Sequence, residues 1–289
     1  MSNLRDIKRR IKSVRNTSQI TKAMQMVASA KMRRAQEQAL RGRVFISALA
    51  SVFRHLRDSI SEGGVDLMKL NPKGKALYII INTDRGLCGG LNSNLFKEVL
   101  GICPADADYI TIGSKLNPQL TRVGRNLCAS FTLSDGFTDA DLKPILDFIR
   151  KGFVDGTYNR VFVAYQKFIN IMVQRPQIVQ LLPIMPEDLL ELAGDEDDVA
   201  EGDLPNYILE PSPAKLLNAI LPLYFTYRLT QMVLEGKASE QSARMVAMKA
   251  ATENAKTLIG ELTLEYNKAR QTQITNELLE ITTAMKAME

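Results

Sequence analysis

The chain has 289 residues, 45% of them hydrophobic, and a formal net charge of +5. That is room for one large domain or two modest ones with a normal core, and no apolar run reaches the roughly 18 residues of a membrane span. One histidine, no tryptophan and three cysteines (Cys88, Cys103, Cys128) without metal-ligand spacing leave little material for histidine acid–base chemistry or a structural zinc. A reducing compartment fits that cysteine usage. The opening MSNLRDIKRR lacks the apolar core of a secretory signal. It is basic and amphipathic, as a mitochondrial transit peptide is, but it flows unbroken into a long helical pattern and reads as mature structure.

From Ser2 to about Ile60 there is no proline and one glycine, Gly42. A single helix of more than fifty residues is expected over this stretch. Ile7, Ile11 and Val14 start an apolar stripe, and Ile20, Met24 and Val27 continue it after a shift of face, as in a helix wrapping a partner. Residues 1–43 carry twelve Lys and Arg against Asp6 and Glu37. This basic end suits nucleic acid, anionic lipid, an acidic protein or simply solvent. Ser61-Glu62-Gly63-Gly64 then breaks the helical pattern.

The texture changes between Asn71 and Pro211, where Pro and Gly become frequent and apolar runs short. Strands are expected at Lys75–Ile81, Tyr109–Gly113, Arg160–Phe168 and Gln177–Ile184. Helices are expected at Asn92–Leu100 and at Asp139–Gly152, the latter weakened or kinked by Pro144, with a short helix or turn over Ser114–Gly124. Alternating strands and helices imply an α/β domain with a mostly parallel sheet. The last two strands follow closely enough to form an antiparallel edge pair. Residues 187–203 carry nine acidic residues and no basic ones and read as a mobile surface loop.

The last stretch, 212–289, is composed of helix formers, and its final 67 residues contain no proline. As one helix those 67 residues would be about 100 Å long. Ile274, Leu278, Ile281, Met285 and Met288 make a seam for another helix, and Ala243, Ala247, Ala250 and Ala251 allow close approach. The fold class is therefore a long antiparallel two-helix coiled coil from the N- and C-termini with an inserted Rossmann-like α/β domain. Its parts are residues 1–60, 71–211 and 212–289. Met24, Met26, Met245 and Met248 add apolar surface beyond one seam, which calls for a sleeve of other protein.

Chemistry is sparse. The loop Asn82-Thr83-Asp84-Arg85-Gly86-Leu87-Cys88-Gly89-Gly90-Leu91-Asn92 follows a strand and precedes a helix, where α/β proteins bind phosphate. It lacks the lysine and hydroxyl of a P-loop and the GxGxxG spacing. A phosphate cradle, a tight structural turn and a Cys88 nucleophile are all readings of it. Glu261 and Glu265 stand four apart on the last helix, as solvent-facing carboxylates do. No catalytic residues, metal ligands or cofactor-binding residues are assigned.

Three separated segments carry a resemblance: RRIKSVRNTSQITKAMQMVASAKMRRAQ near the N-terminus, the loop DRGLCGGLN, and ASEQSARMVAMKAATENA followed by LTLEYNKARQTQITNEL. In this order they resemble the gamma subunit of F-type rotary ATP synthase. The family closes with ITxELxEIxxGA, whereas Ala284-Met285 stands here at the Gly-Ala pair, giving a stiffer and larger tip. The resemblance implies a central rotating shaft, itself not catalytic, that couples proton flow through the membrane sector to ATP synthesis and hydrolysis at the beta-subunit sites. It implies as partners the alpha and beta subunits of the catalytic hexamer, the epsilon subunit and the c-subunit ring, and no nucleic acid.

Residue by residue, the segment matching Lys22-Ala23-Met24 lies near an acidic lever of beta in the family. Arg244 resembles the family arginine on the facing part of the C-terminal helix. Arg270-Gln271 resembles the pair that catches a beta loop by charge-assisted hydrogen bonds. Tyr207 and Glu210, in NYILEP, resemble the foot segment that meets the c ring, although Leu209 replaces an aromatic there. Chloroplast-type relatives carry an inserted cysteine pair where this chain has its cysteine-free acidic stretch, so no thiol switch of that kind is expected. The expected location is peripheral, on the cytoplasmic side of a bacterial cytoplasmic membrane. Two rival readings are a coiled-coil tether with a globular head, which would self-associate, and an α/β enzyme using the glycine loop, which would bind a nucleotide or small ligand.

Overall fold

The computed structural model describes residues 4–56, 66–69, 71–185, 187–189 and 212–288. The chain forms two compact units, one of residues Ala30–Ala243 and one of Met1–Ser29 with Arg244–Glu289. Helix α1 spans Leu4–His55. The C-terminal helix, α5, spans Pro213–Met288 and is 76 residues long. The part of the expected first helix before Leu4 and after Leu56 lies outside the described residues.

In the unit of residues 30–243, a five-stranded sheet has the order β3-β2-β1-β4-β5. The strands are β1 (Lys75–Ile81), β2 (Asp108–Ile112), β3 (Asn126–Phe131), β4 (Tyr158–Phe168) and β5 (Gln174–Leu182). The pairs β1–β2, β1–β4 and β2–β3 are parallel, and β5 lies antiparallel on β4 at the sheet edge, as the short connection implied. Helices α2 (Leu91–Ile102), α3 (Asn117–Arg122) and α4 (Asp139–Val154) make the crossovers.

Strand β1 is apolar from Ala76 to Ile81 because both faces of a parallel sheet are covered. Leu77, Ile79 and Ile81 point into a core shared with Ile145, Ile149 and Phe153 of α4, Phe53 of α1 and Leu221, Phe225 and Leu229 of α5. Tyr78 and Ile80 point the other way, onto Leu95 and Val99 of α2 and onto Leu116 and Leu120. On that second face Tyr78 stacks on Tyr109 and on Phe162. The two terminal helices belong to the first core. Phe53 meets Tyr224 edge-on at 5.7 Å and Phe45 lies 5.5 Å from Tyr227, so position falls along α5 as it rises along α1, as in an antiparallel pair.

Strand β3 was missed in the sequence. Leu127, Ala129 and Phe131 alternate with Asn126, Cys128 and Ser130, but burial on the inner side is only partial, so the alternation is faint. Helix α4 runs unbroken through Pro144. Its start is fixed by a capping box, in which the Thr138 backbone N–H and hydroxyl both donate to Asp141 Oδ2, at 2.8 and 3.0 Å.

Two glycines test these contacts. Gly113 ends β2 at φ +109, and a Cβ there would lie 2.3 Å from the Asn82 carbonyl oxygen. Gly113→Ala is expected to cost more than about 2 kcal/mol. Gly260 lies inside α5 with open space around it, so Gly260→Ala is expected to raise the stability of the isolated chain by up to about 1 kcal/mol. Thermal unfolding of both variants beside the parent checks the pair.

Candidate functional site

In the unit of residues 1–29 and 244–289, α1 and α5 form a two-helix seam. On α1 one series of covered positions is Leu4, Ile7, Ile11, Val14, Ser18, Thr21, Gln25 and Ala28, with Met24 and Ser29 half-buried beside it. Their steps alternate strictly between three and four, the heptad pattern of a coiled coil. On α5 the matching series is Met248, Thr252, Ala255, Ile259, Leu262, Tyr266 and Ala269. Thr21 and Thr252 join hydroxyls at 2.7 Å in its middle.

This corrects the sequence reading. Of the expected continuation of the stripe after Val14, Ile20 and Val27 are 60% and 55% exposed and Met24 is half-buried. The seam passes instead through Ser18, Thr21, Gln25 and Ala28, which are too small or too polar to read as apolar. Met248, taken as surplus apolar surface, is 5% exposed and part of the seam. Ala250, taken as a close-approach position, is exposed.

The Thr21–Thr252 bond also sets where the pair ends. Seventeen residues back from Thr21 is Leu4, the first described residue of α1, and seventeen forward from Thr252 is Ala269. Every described residue from Arg270 to Met288 is exposed. The expected seam of Ile274, Leu278, Ile281, Met285 and Met288 is therefore not covered by α1, and these five are between 43% and 90% exposed.

The candidate partner-contact residues separate accordingly. Lys22 is exposed and Met24 half-buried on α1. Arg270 and Gln271 are exposed on the first turn of α5 past the seam. Arg244 is buried, at 8% exposure. Tyr207 and Glu210, and most of the acidic stretch, lie outside the described residues.

The glycine loop, in the other unit, is a closed turn. Thr83 Oγ1 donates to the Arg85 carbonyl at 2.8 Å, and Asn92 Nδ2 donates to Thr83 Oγ1 at 2.7 Å. Gln166 Nε2 of β4 donates to the Leu91 carbonyl at 2.8 Å. Cys88 is buried against Asn92. Its tip carries Leu87 at φ 64 with the side chain 61% exposed. The crevice where an open α/β sheet would take a ligand, at the carboxyl ends of β1 and β4, is occupied by α5 itself. A Cβ on Gly236 of α5 would stand 2.9 Å from Ile81, so the helix backbone rests directly on the strand.

Three side chains pin that helix down. Lys237 Nζ, Ser239 Oγ and Ser242 Oγ each donate at 2.8 Å, to the carbonyls of Leu133, Gln166 and Ile171. The run Lys237–Ser242 is buried at every position. Sequence reasoning noted these residues only as part of a motif, because six polar or small residues on a helix look the same whether they face water or a sheet edge. Among the described residues no group of three or more His, Cys, Asp or Glu could hold a metal ion. No described helix is long and apolar enough to cross a membrane.

A family model described as ATP synthase matches residues 3–288. The chain is 59% identical over 292 residues to the ATP synthase gamma chain of Akkermansia muciniphila, with all of both chains covered. The chain belongs to the ATP synthase gamma chain family. It is also 42% identical to the gamma chain of Opitutus terrae, with 99% of each covered. Its fold is similar to that of a chain in the mitochondrial ATP synthase of Euglena gracilis, an assembly of OSCP, F1 and c-ring. There the TM-score is 0.72 at 23% identity, with 99% of this chain and 94% of that one covered. For a gamma chain, an α/β crevice filled by its own C-terminal helix and a bare helical tip are the two features that matter most below.

None of the three cysteines is in a disulfide, and Cys88 and Cys103 are buried while Cys128 is exposed. Thiol labelling is expected to modify one cysteine in the native chain and all three after unfolding. Burial pushes the Cys103 thiol from its ordinary 9.0 up to about 12. It likewise pushes the Tyr109 and Tyr158 hydroxyls from 10.0 up to about 12, and the Tyr165 hydroxyl upward. Each group stabilises the fold in its protonated form. That stability is complete below about pH 9 and is lost as pH rises towards 12. A Tm that holds steady to pH 9 and then falls steeply is the expected record.

Proposed function

We propose that this chain is the central rotating shaft of an F-type ATP synthase, coupling proton flow through the membrane sector to ATP synthesis and hydrolysis on the beta subunits. The observation that carries the reading is the tip of α5. From Arg270 onward one helix stands without its partner and exposes Ile274, Leu278, Ile281 and Met285. An apolar surface of that kind needs a protein sleeve, and a hexamer of alternating alpha and beta subunits supplies one. Family membership across residues 3–288 supports the same reading.

The physical role is to break symmetry. Past Ala269 every described residue of α5 is exposed, so two helices give way to one and the cross-section changes along the pair. A single such body cannot touch three identical beta subunits identically. It biases three two-state elements differently at any instant, and turning it moves each through the states in sequence. The chain does no chemistry in this scheme and takes no cofactor. Lys22 and Met24 face the lever of beta, and Arg270 and Gln271 catch a beta loop. Arg244, being buried, acts by holding its helix as well as by any contact. The stretch 71–211 is the foot, meeting epsilon and, through Tyr207 and Glu210, the c ring. Residues 1–60 and 212–289 are the two shaft helices. The complex holds the chain peripherally on the cytoplasmic face of a bacterial cytoplasmic membrane.

The test is ATP hydrolysis by purified alpha and beta subunits with and without the chain. A single copy per hexamer and a raised sustained rate are expected. A charge-assisted hydrogen bond contributes about 1.5–3 kcal/mol, so Arg270→Ala is expected to slow hydrolysis by about ten-fold or more, and Gln271→Ala less. A chain that neither co-purifies nor changes the rate, under conditions where another gamma chain does both, overturns the shaft. A chain that is instead a stable dimer by mass supports the tether.

A further inference from the structure

Closure of the sheet crevice by α5 leaves a cavity of about 10 Å³, walled by Asn82, Asp84, Gln166, Lys237 and Glu240 among others. That is room for a single water molecule. Asn82 is 7% exposed and Gln166 3%. Among the described residues neither Nδ2 nor Oδ1 of Asn82 meets a hydrogen-bonding partner, and the same holds for Gln166 Oε1 and Asp84 Oδ1. Buried amide groups are ordinarily paired, with protein or with ordered water. Asn82 and Gln166 cannot turn away freely. Asn82 Oδ1 lies close against the Cα of Gly113, and Gln166 is held by its other amide atom, which donates to the Leu91 carbonyl.

We infer that the cavity is a binding site for one internal water, held by Asn82 and Gln166 beneath α5. The chemistry selects water over an ion. A water offers two protons and two lone pairs, and the wall presents a donor in Asn82 Nδ2 and acceptors in Gln166 Oε1 and Asp84 Oδ1. A cation would face the Lys237 ammonium, which lines the same wall, and an anion would face the Asp84 and Glu240 carboxylates. The site holds whether or not the chain turns as a shaft. It makes the crevice of this α/β unit a hydrated joint between its sheet and its last helix, where related architectures keep a ligand pocket.

Two measurements test this. The first is a density map of the intact chain in its complex at a resolution that shows ordered water. A peak within hydrogen-bonding distance of both Asn82 and Gln166 is expected. An empty cavity, or a direct bond between the two side chains, overturns the site. The second is thermal unfolding of Asn82→Ala, Gln166→Met and the double variant. Each single change is expected to lower Tm by about 2–4 °C. If one water joins the two residues, the double variant loses less than the sum of the singles. Strictly additive losses overturn the bridge. If the variants do not fold, the map alone decides.

Discussion

The hydroxyls of Thr21 and Thr252 meet at 2.7 Å inside a helix pair, and that contact governs much of what the chain presents outside. A buried polar pair is satisfied in one register and orphaned in its neighbours. Here one hydroxyl donates to the other, and the accepting one is left to donate to a carbonyl of its own helix, Ser18 for Thr21 or Met248 for Thr252. The register it selects brings the first described turn of α1 level with Ala269. Everything beyond on α5 is then bare, and that bareness is what makes the tip available to a surrounding protein. A shift of one heptad would lengthen or shorten the single-helix segment by about two turns.

The α/β unit solves a different problem. Its sheet order and parallel pairing are those of nucleotide-binding folds, yet the crevice such folds use is filled. Gly236 allows the backbone of α5 to rest against Ile81, and Lys237, Ser239 and Ser242 satisfy carbonyls that the end of the sheet would otherwise leave to water. Asp135 adds ion pairs to Lys31 of α1 and, at longer range, to Lys237 of α5. The site that evolution uses for chemistry elsewhere is here an attachment point for a helix.

Part of this was legible in the sequence, and the reason is local. Long runs of helix formers, free of proline on α1 and beyond Pro222 on α5, dictate long helices at both ends. The run KALYIII dictates a strand buried on both faces, and the close spacing of the last two strands dictates an antiparallel edge. These follow from residue chemistry and chain connectivity over a few neighbours. The three motifs that marked the family are equally local. So is the glycine loop, whose missing lysine already argued against a P-loop and whose hydrogen bonds close it as a turn.

What the sequence left open depended on distant parts of the chain. The seam through Ser18, Thr21, Gln25 and Ala28 is built from small and polar residues, and only the opposing face of α5 makes them core. Ile20 and Val27 look like core and are surface for the same reason. The apolar steps at Ile274, Leu278 and Ile281 look like a seam for another helix, yet no described helix of this chain covers them. Strand β3 is too weakly alternating to be seen without β2 beside it. The buried polar run Lys237–Ser242 has no signature at all until a sheet edge lies against it. Local propensity determines which elements form; which faces they bury is settled by what they meet, and a helix pair joined across some two hundred residues of intervening chain meets its partner only in three dimensions.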